Sequence, residues 1–225
     1  MHKDRTHVQL SARDKMYEHI KNRIINLDYE PGEKISEKDV ALHYNVSKTP
    51  VREAFLKLAE EELIKIYPQR YTAVSKIDLD LVEEGRFLRE NIECAIVKEA
   101  CNKLNDDYFM HFELNLKLQQ FCIEKGSYQE LFGLDEEFHR LLFEMCNKLR
   151  IWKLMRSMNS HFDRLRVLRL ASNHDWKILF DQHTRIFDNI SSGQPEKAEK
   201  VMLDHLNLVH FETKELKEQY LDYFE

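Results

Sequence analysis

The stretch VSKTPVREAFLKLAEEEL, residues 46–63, reads as the beginning of an amphipathic helix. Its apolar residues are three to four positions apart, the spacing of one helix face: Val51, Ala54, Phe55 and Leu58. Two cations, Lys48 and Arg52, lie in the first turns. A helix N-terminus carries positive partial charge, which disfavours cations there. Their position makes sense if a polyanion binds at this end of the helix.

The sequence on either side predicts the elements around this helix. Residues 11–29 have an apolar helix face and end before Pro31 and Gly32. Ser36 then begins a short predicted helix that reaches about His43. After the quoted stretch, LIKIYPQRYTAV predicts two short strands, 64–67 and 71–74, around a turn. The order helix, short helix, turn, helix and β-hairpin is typical of a winged helix-turn-helix.

Composition restricts where a polyanion could bind and in which compartment the chain works. The net charge is −6, but residues 1–75 carry +1 and the remainder carries −7, so the first third is the plausible DNA-binding part. No apolar run approaches the roughly 18 residues needed to span a bilayer. The four cysteines form no CxxC pair and are interpreted as reduced core residues. We therefore expect a cytoplasmic protein with no membrane partner.

The chain changes character near Ile77. Low glycine and proline content favours helices, and the remaining sequence predicts helices over 106–125, 127–147, 150–171, 176–191 and 195–220 after a long first one. No segment after residue 76 resembles a strand. The predicted fold is mainly α, with a winged helix-turn-helix in residues 1–76 and an all-α antiparallel bundle in residues 77–225.

A recognition role explains the polar residues at the start of the quoted helix. In the major groove, the N-terminal residues of such a helix face base edges and phosphates. Ser47 and Thr49 could cap the helix and bind phosphate, while Lys48 and Arg52 could read guanine or neutralise phosphates. A solvated helix start with chance cations is the alternative.

Spacing also points to a second group of polar residues, in the C-terminal part. Asp135 and His139 are four apart and share a helix face. His183 and His205 flank a turn at 191–195 and would lie at similar heights, about 15–18 Å from it at roughly 1.5 Å per residue. Bundle-core metal sites are built in this way. Surface histidines with a solvated aspartate remain the alternative from spacing alone.

Residues 17–74 resemble the DNA-binding domain of the GntR family of bacterial transcription regulators, and VSKTPVREA is nearly that family's signature. The resemblance implies that Ser47, Lys48, Thr49 and Arg52 contact an operator. It further implies that the wing tip approaches the minor groove. The residues at that tip are Gln69, Arg70 and Tyr71.

Residues 78–215 resemble the FCD-type effector domain of the FadR-like branch of that family. The resemblance rests on LDEEFH, DQHTRIFDNI and MLDHLNLV. It implies one divalent ion on Asp135, His139, His183 and His205, with zinc the first choice and nickel, manganese, cobalt or iron as alternatives. It also implies an effector pocket for a small organic acid, with Arg86, Asn147 and Arg164 (or Arg166) as candidate binding residues.

Together these patterns predict a ligand-responsive transcriptional repressor and not an enzyme. A single recognition helix reads few base pairs, so we expect a homodimer on a two-fold symmetric operator. Two other classes compete: a metal-dependent hydrolase, since three histidines and an aspartate could activate water, and a metal-free interaction protein whose helical part dimerises. Because metal-binding histidines must be neutral, metal affinity is expected to fall as the pH drops through about 6.

Overall fold

A computed structural model describes residues 11–172 and 176–225, apart from the side chains of residues 209–212. The chain divides into two compact units, Met1–Lys76 and Ile77–Glu225. Among the described residues, no helix has the length and apolar character required to cross a membrane. The predicted fold class, a small winged helix-turn-helix followed by an all-α bundle, is confirmed.

In the part that the structure describes, the N-terminal unit contains three helices and a small sheet. Its elements are α1 Ala12–Ile25, β1 Lys34–Ile35, α2 Glu37–His43, α3 Lys48–Glu60, β2 Ile64–Tyr67 and β3 Tyr71–Val74. The antiparallel sheet has the order β1-β3-β2, with Lys65 opposite Ala73 in the hairpin. Strand β1 was not predicted, because its two residues are too few to show an alternating pattern. Gly32, at φ +86°, allows the chain to turn into β1.

The core of this unit is apolar and contains one ion pair. Helix α3 is the central element, since α1, α2 and β2 all pack against it, and its buried residues are Val51, Ala54, Phe55 and Leu58. The nearly buried Lys21 lies 2.5 Å from a Glu61 carboxylate oxygen. The Tyr17 hydroxyl donates to the other oxygen at 2.5 Å. Glu61 therefore joins α1 to the end of α3, because a buried charge requires such partners.

The C-terminal unit consists of helices in the described residues. They are α4 Leu79–Ala100, α5 Asp106–Lys125, α6 Tyr128–Met145, α7 Leu149–Met158, α8 Ser160–Ala171, α9 Trp176–Ser191 and α10 Pro195–Gln219, with a short 3₁₀ turn at Leu221–Tyr223. Helix α10 packs against α4 and α9, and α5 packs against α6. The apolar core between them includes Phe112, Phe138, Leu142 and Ile186.

The single helix predicted over 150–171 was wrong, because the chain breaks at Asn159. Helix α7 keeps one face exposed, including Leu154 and Met158. All residues of α8 from Ser160 to Leu170 are buried. The break lets the chain leave the surface and enter the interior, where α8 contacts α4, α6 and α10. Gly85 of α4 makes the close approach possible, since a Cβ there would lie 3.2 Å from the Phe162 side chain.

Candidate metal centre and nucleic-acid interface

The polar residues at the start of α3 are on the surface. Ser47 is the N-cap residue, although its side chain makes no capping hydrogen bond. Ser47, Lys48 and Thr49 are all exposed. The Arg52 side chain is 67% exposed, and its Nε donates to the Glu37 carboxylate at 3.2 Å. These groups are accessible to a polyanion, and Glu37 restrains the direction of Arg52.

The hairpin wing lies beside this helix start. Gln69, at φ +58°, forms its tip, and the Tyr67 and Tyr71 rings contact each other with centroids 4.5 Å apart. The Lys34 ammonium lies 4.6 Å from the Tyr71 ring centroid. One groove is lined by residues from the wing, β1 and both helix starts, including Lys48, Gln69, Arg70 and Tyr71. Of the predicted DNA-contact residues of α3, Lys48 therefore lies in one groove with the wing residues, whereas Ser47, Thr49 and Arg52 are outside its lining.

Two further cations line the same groove and were missed by the sequence analysis. They are Lys34 in β1 and Lys38 in the first turn of α2. The Ser36 side chain accepts a hydrogen bond from the Lys38 backbone N–H at 3.2 Å, so this cap fixes the helix start that carries Lys38. The pairing of β1 with β3 brings this segment beside the wing. The periodicity of the sequence did not indicate that pairing.

In the C-terminal unit, the four predicted ligand residues converge in the interior. Asp135, His139, His183 and His205 each offer a ligand atom, and these atoms all lie within 4.8 Å of one another. All four residues are buried. Asp135 and His139 share one face of α6, whereas His183 and His205 come from α9 and α10 on either side of their turn.

A distinct oxygen engages the Nδ1 atom of each histidine. The Glu93 carboxylate contacts His139 Nδ1. Gln119 Oε1 lies 2.8 Å from His183 Nδ1, and Gln182 Oε1 lies 3.2 Å from His205 Nδ1. An amide or carboxylate oxygen accepts, so each Nδ1 carries the proton and each Nε2 carries a lone pair. Such partners fix the tautomer and ring direction of metal ligands.

The Nε2 lone pairs point at one another, an arrangement that suits a shared cation. His139 Nε2 and His205 Nε2 are 3.1 Å apart, and neither has a proton to share in this tautomer. His183 Nε2 lies 3.5 Å from Asp135 Oδ1. Both atoms of that second pair are buried and have no hydrogen-bond partner among the residues that the structure describes. Three imidazole nitrogens and one carboxylate oxygen form a donor set that fits a divalent transition metal.

The fourth residue, Asp135, is held by an arginine. Arg166 Nη2 donates to Asp135 Oδ2, which leaves Oδ1 toward the histidines. Arg166 also lies 2.5 Å from a Glu136 oxygen and 3.1 Å from an Asp163 oxygen. Three carboxylates therefore surround one buried guanidinium, as burial of a charge requires.

Burial and charge set the protonation states of the centre. Burial alone would raise the pKa of Glu93, but Arg89 and His139 outweigh it and lower that pKa to about 2. Burial lowers the pKa of His183 to about 3, and burial together with His183 and His139 lowers the pKa of His205 well below its usual value. These two imidazoles stay neutral in the folded protein at pH 6. Protonation of these two histidines would therefore reduce metal affinity only below pH 6.

A narrow cavity of about 20 Å³ adjoins the four predicted ligand residues. The metal-ligand residues Asp135 and His205 form part of its wall. Three arginines contribute the charged part, and they are Arg89, Arg166 and Arg169. The remaining described lining is apolar, from Phe132, Phe162, Leu170, Leu179, Leu206 and Leu208.

Of the predicted effector-binding residues, Arg166, the alternative to Arg164, lines this cavity, whereas Arg86, Asn147 and Arg164 do not. Arg86 is outside this lining and pairs with Glu83 and Glu90, while its Nη1 donates to Asn207 at 2.8 Å. Asn147 follows the end of α6 with φ +57°, a conformation that asparagine tolerates. Arg164 is buried beside His161 at 3.0 Å, and burial lowers its pKa to about 9. The structure brings Arg89 to the cavity instead, one helical turn beyond Arg86.

Comparison with known proteins identifies the class of protein that this fold and these sites define. The family described as bacterial regulatory proteins, gntR family, matches residues 12–74, and the FCD domain matches residues 86–208. The chain therefore belongs to the GntR family of bacterial transcription regulators and carries an FCD effector domain.

Individual relatives agree with that assignment. The chain is 32% identical over 209 residues to the HTH-type transcriptional repressor RspR of Escherichia coli K12, covering 93% of this chain and 92% of the relative. It is 25% identical to the Nta operon transcriptional regulator of Aminobacter aminovorans, over 84% and 87% of the two chains. The family and these relatives are regulators, which confirms the prediction that the chain is not an enzyme.

Solved structures support the fold. The structure of E. coli McbR/YncC superposes with a TM-score of 0.82 at 16% identity, covering 94% of this chain and all of that one. A GntR regulator from Rhodococcus sp. RHA1 gives a TM-score of 0.73 at 22% identity, over 96% of this chain and all of that one. At these identities the likeness concerns the arrangement of elements alone.

Proposed function

We propose that this regulator is a homodimeric repressor whose C-terminal unit binds one divalent ion and a small carboxylate, and that the carboxylate changes its affinity for a two-fold symmetric operator. The observation that carries the proposal is the convergence of three Nε2 lone pairs and one aspartate oxygen within 4.8 Å. The named repressor among its relatives, RspR, supports the sign of regulation.

The DNA part of the proposal rests on accessibility and charge. Ser47, Lys48, Thr49 and Arg52 project from the start of α3, and the wing adds Gln69, Arg70 and Tyr71 along one groove. Base-reading cations must be exposed and pointed by a rigid element, and Arg52 on α3 satisfies both conditions. We assign phosphate contacts to Lys34 and Lys38 because they line the same groove.

The metal part rests on the donor set. Asp135, His139, His183 and His205 would hold the ion, and zinc is the first choice among zinc, nickel, manganese, cobalt and iron, since borderline nitrogen and oxygen ligands suit all of them. When bound, the ion supplies positive charge at the wall of the cavity. Glu93, Gln119 and Gln182 keep the three imidazoles in the binding tautomer.

The effector part of the proposal rests on two residues that the proposed metal site and the cavity have in common. Asp135 and His205 belong both to the ligand group and to the cavity, so a carboxylate in the cavity would lie beside the ion. Arginines at the same wall would bind its oxygens, because charge-assisted bonds from guanidinium to carboxylate are strong. Occupied and empty states would then differ in the packing of α4, α6, α8, α9 and α10, which supply the lining of the cavity.

The assembly part rests on operator reading. One recognition helix contacts few base pairs, so two copies on a symmetric site give the required specificity. Light scattering at micromolar concentration should give the mass of a dimer, with and without operator DNA. A monomer under both conditions would contradict this part of the proposal.

The experiment that tests the whole proposal combines metal analysis with measurements of operator binding. Purified protein should contain about one divalent ion per chain, and His183→Ala and His205→Ala should lose it together with the response of DNA binding to added carboxylates. His111→Ala is the matched control, since His111 is exposed on α5. Wild-type protein without metal would favour the metal-free interaction protein. Full metal and full response in both site variants would show that the ion binds elsewhere.

A further inference from the structure

We infer that Glu37 determines the sequence specificity of the DNA-binding unit, because its carboxylate holds the Arg52 guanidinium so that the terminal nitrogens Nη1 and Nη2 read a guanine. Glu37 acts through Arg52 and is therefore a positioning residue. This inference rests on the proposed function, since it concerns how the base-reading cation of α3 is directed at operator DNA.

The first observation is the position of the Glu37 carboxylate on a cationic surface. Glu37 lies in the first turn of α2. It lines the groove together with the cations Lys34, Lys38, Lys48 and Arg70. An anion among these cations repels the phosphates that they attract, so it lowers the affinity for every DNA sequence. An acid in the first turn stabilises its own helix, but Asp39 already supplies such a charge in the same turn.

The second observation is the ion pair between the two side chains. Arg52 Nε donates to Glu37 Oε2 at 3.2 Å. The terminal nitrogens of Arg52 have no hydrogen-bond or ion-pair partner among the residues that the structure describes. Since the Arg52 side chain is 67% exposed, its guanidinium stays accessible while Nε is engaged. Glu37 thus joins Arg52, which is outside the lining of the groove, to the groove itself.

The shape of the guanidinium gives this contact its consequence. A guanidinium can meet guanine O6 and N7 with Nε and one terminal nitrogen, or with the two terminal nitrogens. The Glu37 contact engages Nε and leaves the terminal pair of Arg52, so it selects one of the two approaches to the base. An exposed pair contributes little to stability in water, but its attraction grows when DNA excludes water from it. Glu37 therefore contributes to discrimination between bases more than to the stability of the free protein.

The third observation is the rigidity of the helix that carries the carboxylate. Helix α2 packs against α3, and Val40 and Ala41 of α2 are buried. The Ser36 side chain accepts a hydrogen bond from the Lys38 backbone N–H at 3.2 Å, which caps α2 immediately before Glu37. A residue that positions another must itself be held by a rigid element, and the start of α2 meets this condition.

The test measures base discrimination by the full-length protein with fluorescence anisotropy. Wild-type protein first selects an operator from a random duplex library. Each guanine of one half-site is then replaced by adenine, with its partner base exchanged, or by 7-deazaguanine, which lacks the N7 acceptor. Discrimination is the Kd for the substituted duplex divided by the Kd for the selected operator. For wild type we expect about 5- to 140-fold at the base pair that Arg52 reads.

Glu37→Ala and Asp39→Ala form a matched pair, because each removes one acid from the first turn of α2 in the same groove. Both should bind a non-operator duplex at least about twofold more tightly at low salt, since a negative charge near the phosphates is lost. Glu37→Ala should also reduce discrimination at the Arg52 base pair by at least about threefold, whereas Asp39→Ala should keep the wild-type value. A general loss of structure would instead weaken binding to all duplexes.

Two further variants assign the effect to Arg52. In an Arg52→Ala background, Glu37→Ala should leave discrimination unchanged, because no guanidinium remains for the carboxylate to position. Glu37→Gln keeps the shape of the side chain without its charge, so its discrimination should fall between those of wild type and Glu37→Ala. If Glu37 accepted a hydrogen bond from a cytosine amino group directly, its effect would persist without Arg52, and that result would overturn the inference.

The outcomes separate this inference from the proposed function. Wild-type discrimination in Glu37→Ala, together with its loss in Arg52→Ala, would overturn the inference and leave Arg52 as a base reader. Full discrimination in Arg52→Ala would overturn both the inference and the base-reading part of the proposed function. Thermal unfolding checks that each variant folds, and Glu37→Gln decides the question if Glu37→Ala does not.

Discussion

Helices α3 and α8 each carry three lysine or arginine residues, but the two arginines Arg52 of α3 and Arg166 of α8 lie in opposite environments. In α3, Arg52 is 67% exposed and pairs with one carboxylate, that of Glu37, at 3.2 Å. In α8, Arg166 is 7% exposed and contacts three carboxylates. The first arrangement leaves a cation available to a partner from outside. The second uses the cation to hold Asp135, one of the proposed metal ligands. A charged residue in a helix therefore need not lie on the surface of the protein.

The largest expected effect is the removal of the buried arginine. Arg166→Met should lower the free energy of unfolding of the C-terminal unit by about 3–5 kcal/mol, because it leaves buried carboxylates without their cation. Urea titration followed by circular dichroism measures the change. Arg52→Ala is the surface counterpart and should change stability by less than about 0.5 kcal/mol. Equal losses in the two variants would remove the contrast between the helices.

The next effect is a pH dependence of stability in metal-free protein. The folded state binds fewer protons than the unfolded chain because burial lowers the pKa of His183 to about 3. Stability should therefore be fully present above pH 6.5 and should fall as the pH drops from there toward 3, by about 2 kcal/mol for His183 at pH 5. His205 acts in the same direction.

Two variants isolate that effect. His183→Gln should show a shallower loss of stability between pH 7 and 5, whereas His43→Gln, an exposed change in α2, should follow wild type. Urea titrations at several pH values in the presence of a chelator give the slopes. A wild-type stability that does not change between pH 7 and 5 would mean that the site does not keep its histidines neutral.

On the exposed side of the comparison, Arg52→Ala should weaken binding to a selected operator by about 1–3 kcal/mol if Arg52 reads a guanine through both nitrogens. A contact to phosphate alone would weaken all sequences alike and reduce the salt slope by about one. Fluorescence anisotropy at two salt concentrations distinguishes these cases. Arg13→Ala, at the start of α1, provides the control. An unchanged operator affinity in the Arg52→Ala variant would show that Arg52 does not contact the DNA.

The smallest expected effect is on the ion pair that restrains Arg52. Glu37→Gln should change the unfolding free energy by less than about 0.5 kcal/mol, because exposed pairs contribute little. Glu61→Gln is its buried counterpart, since Glu61 lies 2.5 Å from Lys21 with both side chains near 10% exposure. Thermal unfolding of both variants should rank Glu61→Gln as the more destabilised. The reverse order would show that burial is not what distinguishes these pairs.

Helical periodicity accounts for what the sequence predicted well. Local signals, namely caps, turns and apolar spacing, predicted helix α3 and the two wing strands. They also predicted the C-terminal residues of α5, α8 and α9. The four proposed ligand residues were singled out from the sequence by the spacing of Asp135 and His139, by the positions of His183 and His205 on either side of a turn, and by the family motifs. The structure brings all four together. What spacing did not reveal was the break at Asn159, because no proline or glycine marks it.

The sequence by itself determined the fold class and which side chains could form a ligand set, because caps and helix faces depend on neighbours within a few residues. Only the tertiary structure decided which charges are buried. Arg86 and Arg89 lie three positions apart on α4, yet Arg86 pairs with surface glutamates while Arg89 lines the cavity. That choice depends on how α8 packs against α4 at Gly85. Glu93, Gln119 and Gln182 likewise acquire their roles from helices distant in sequence, since the partner that satisfies a buried polar group is set by packing and not by spacing.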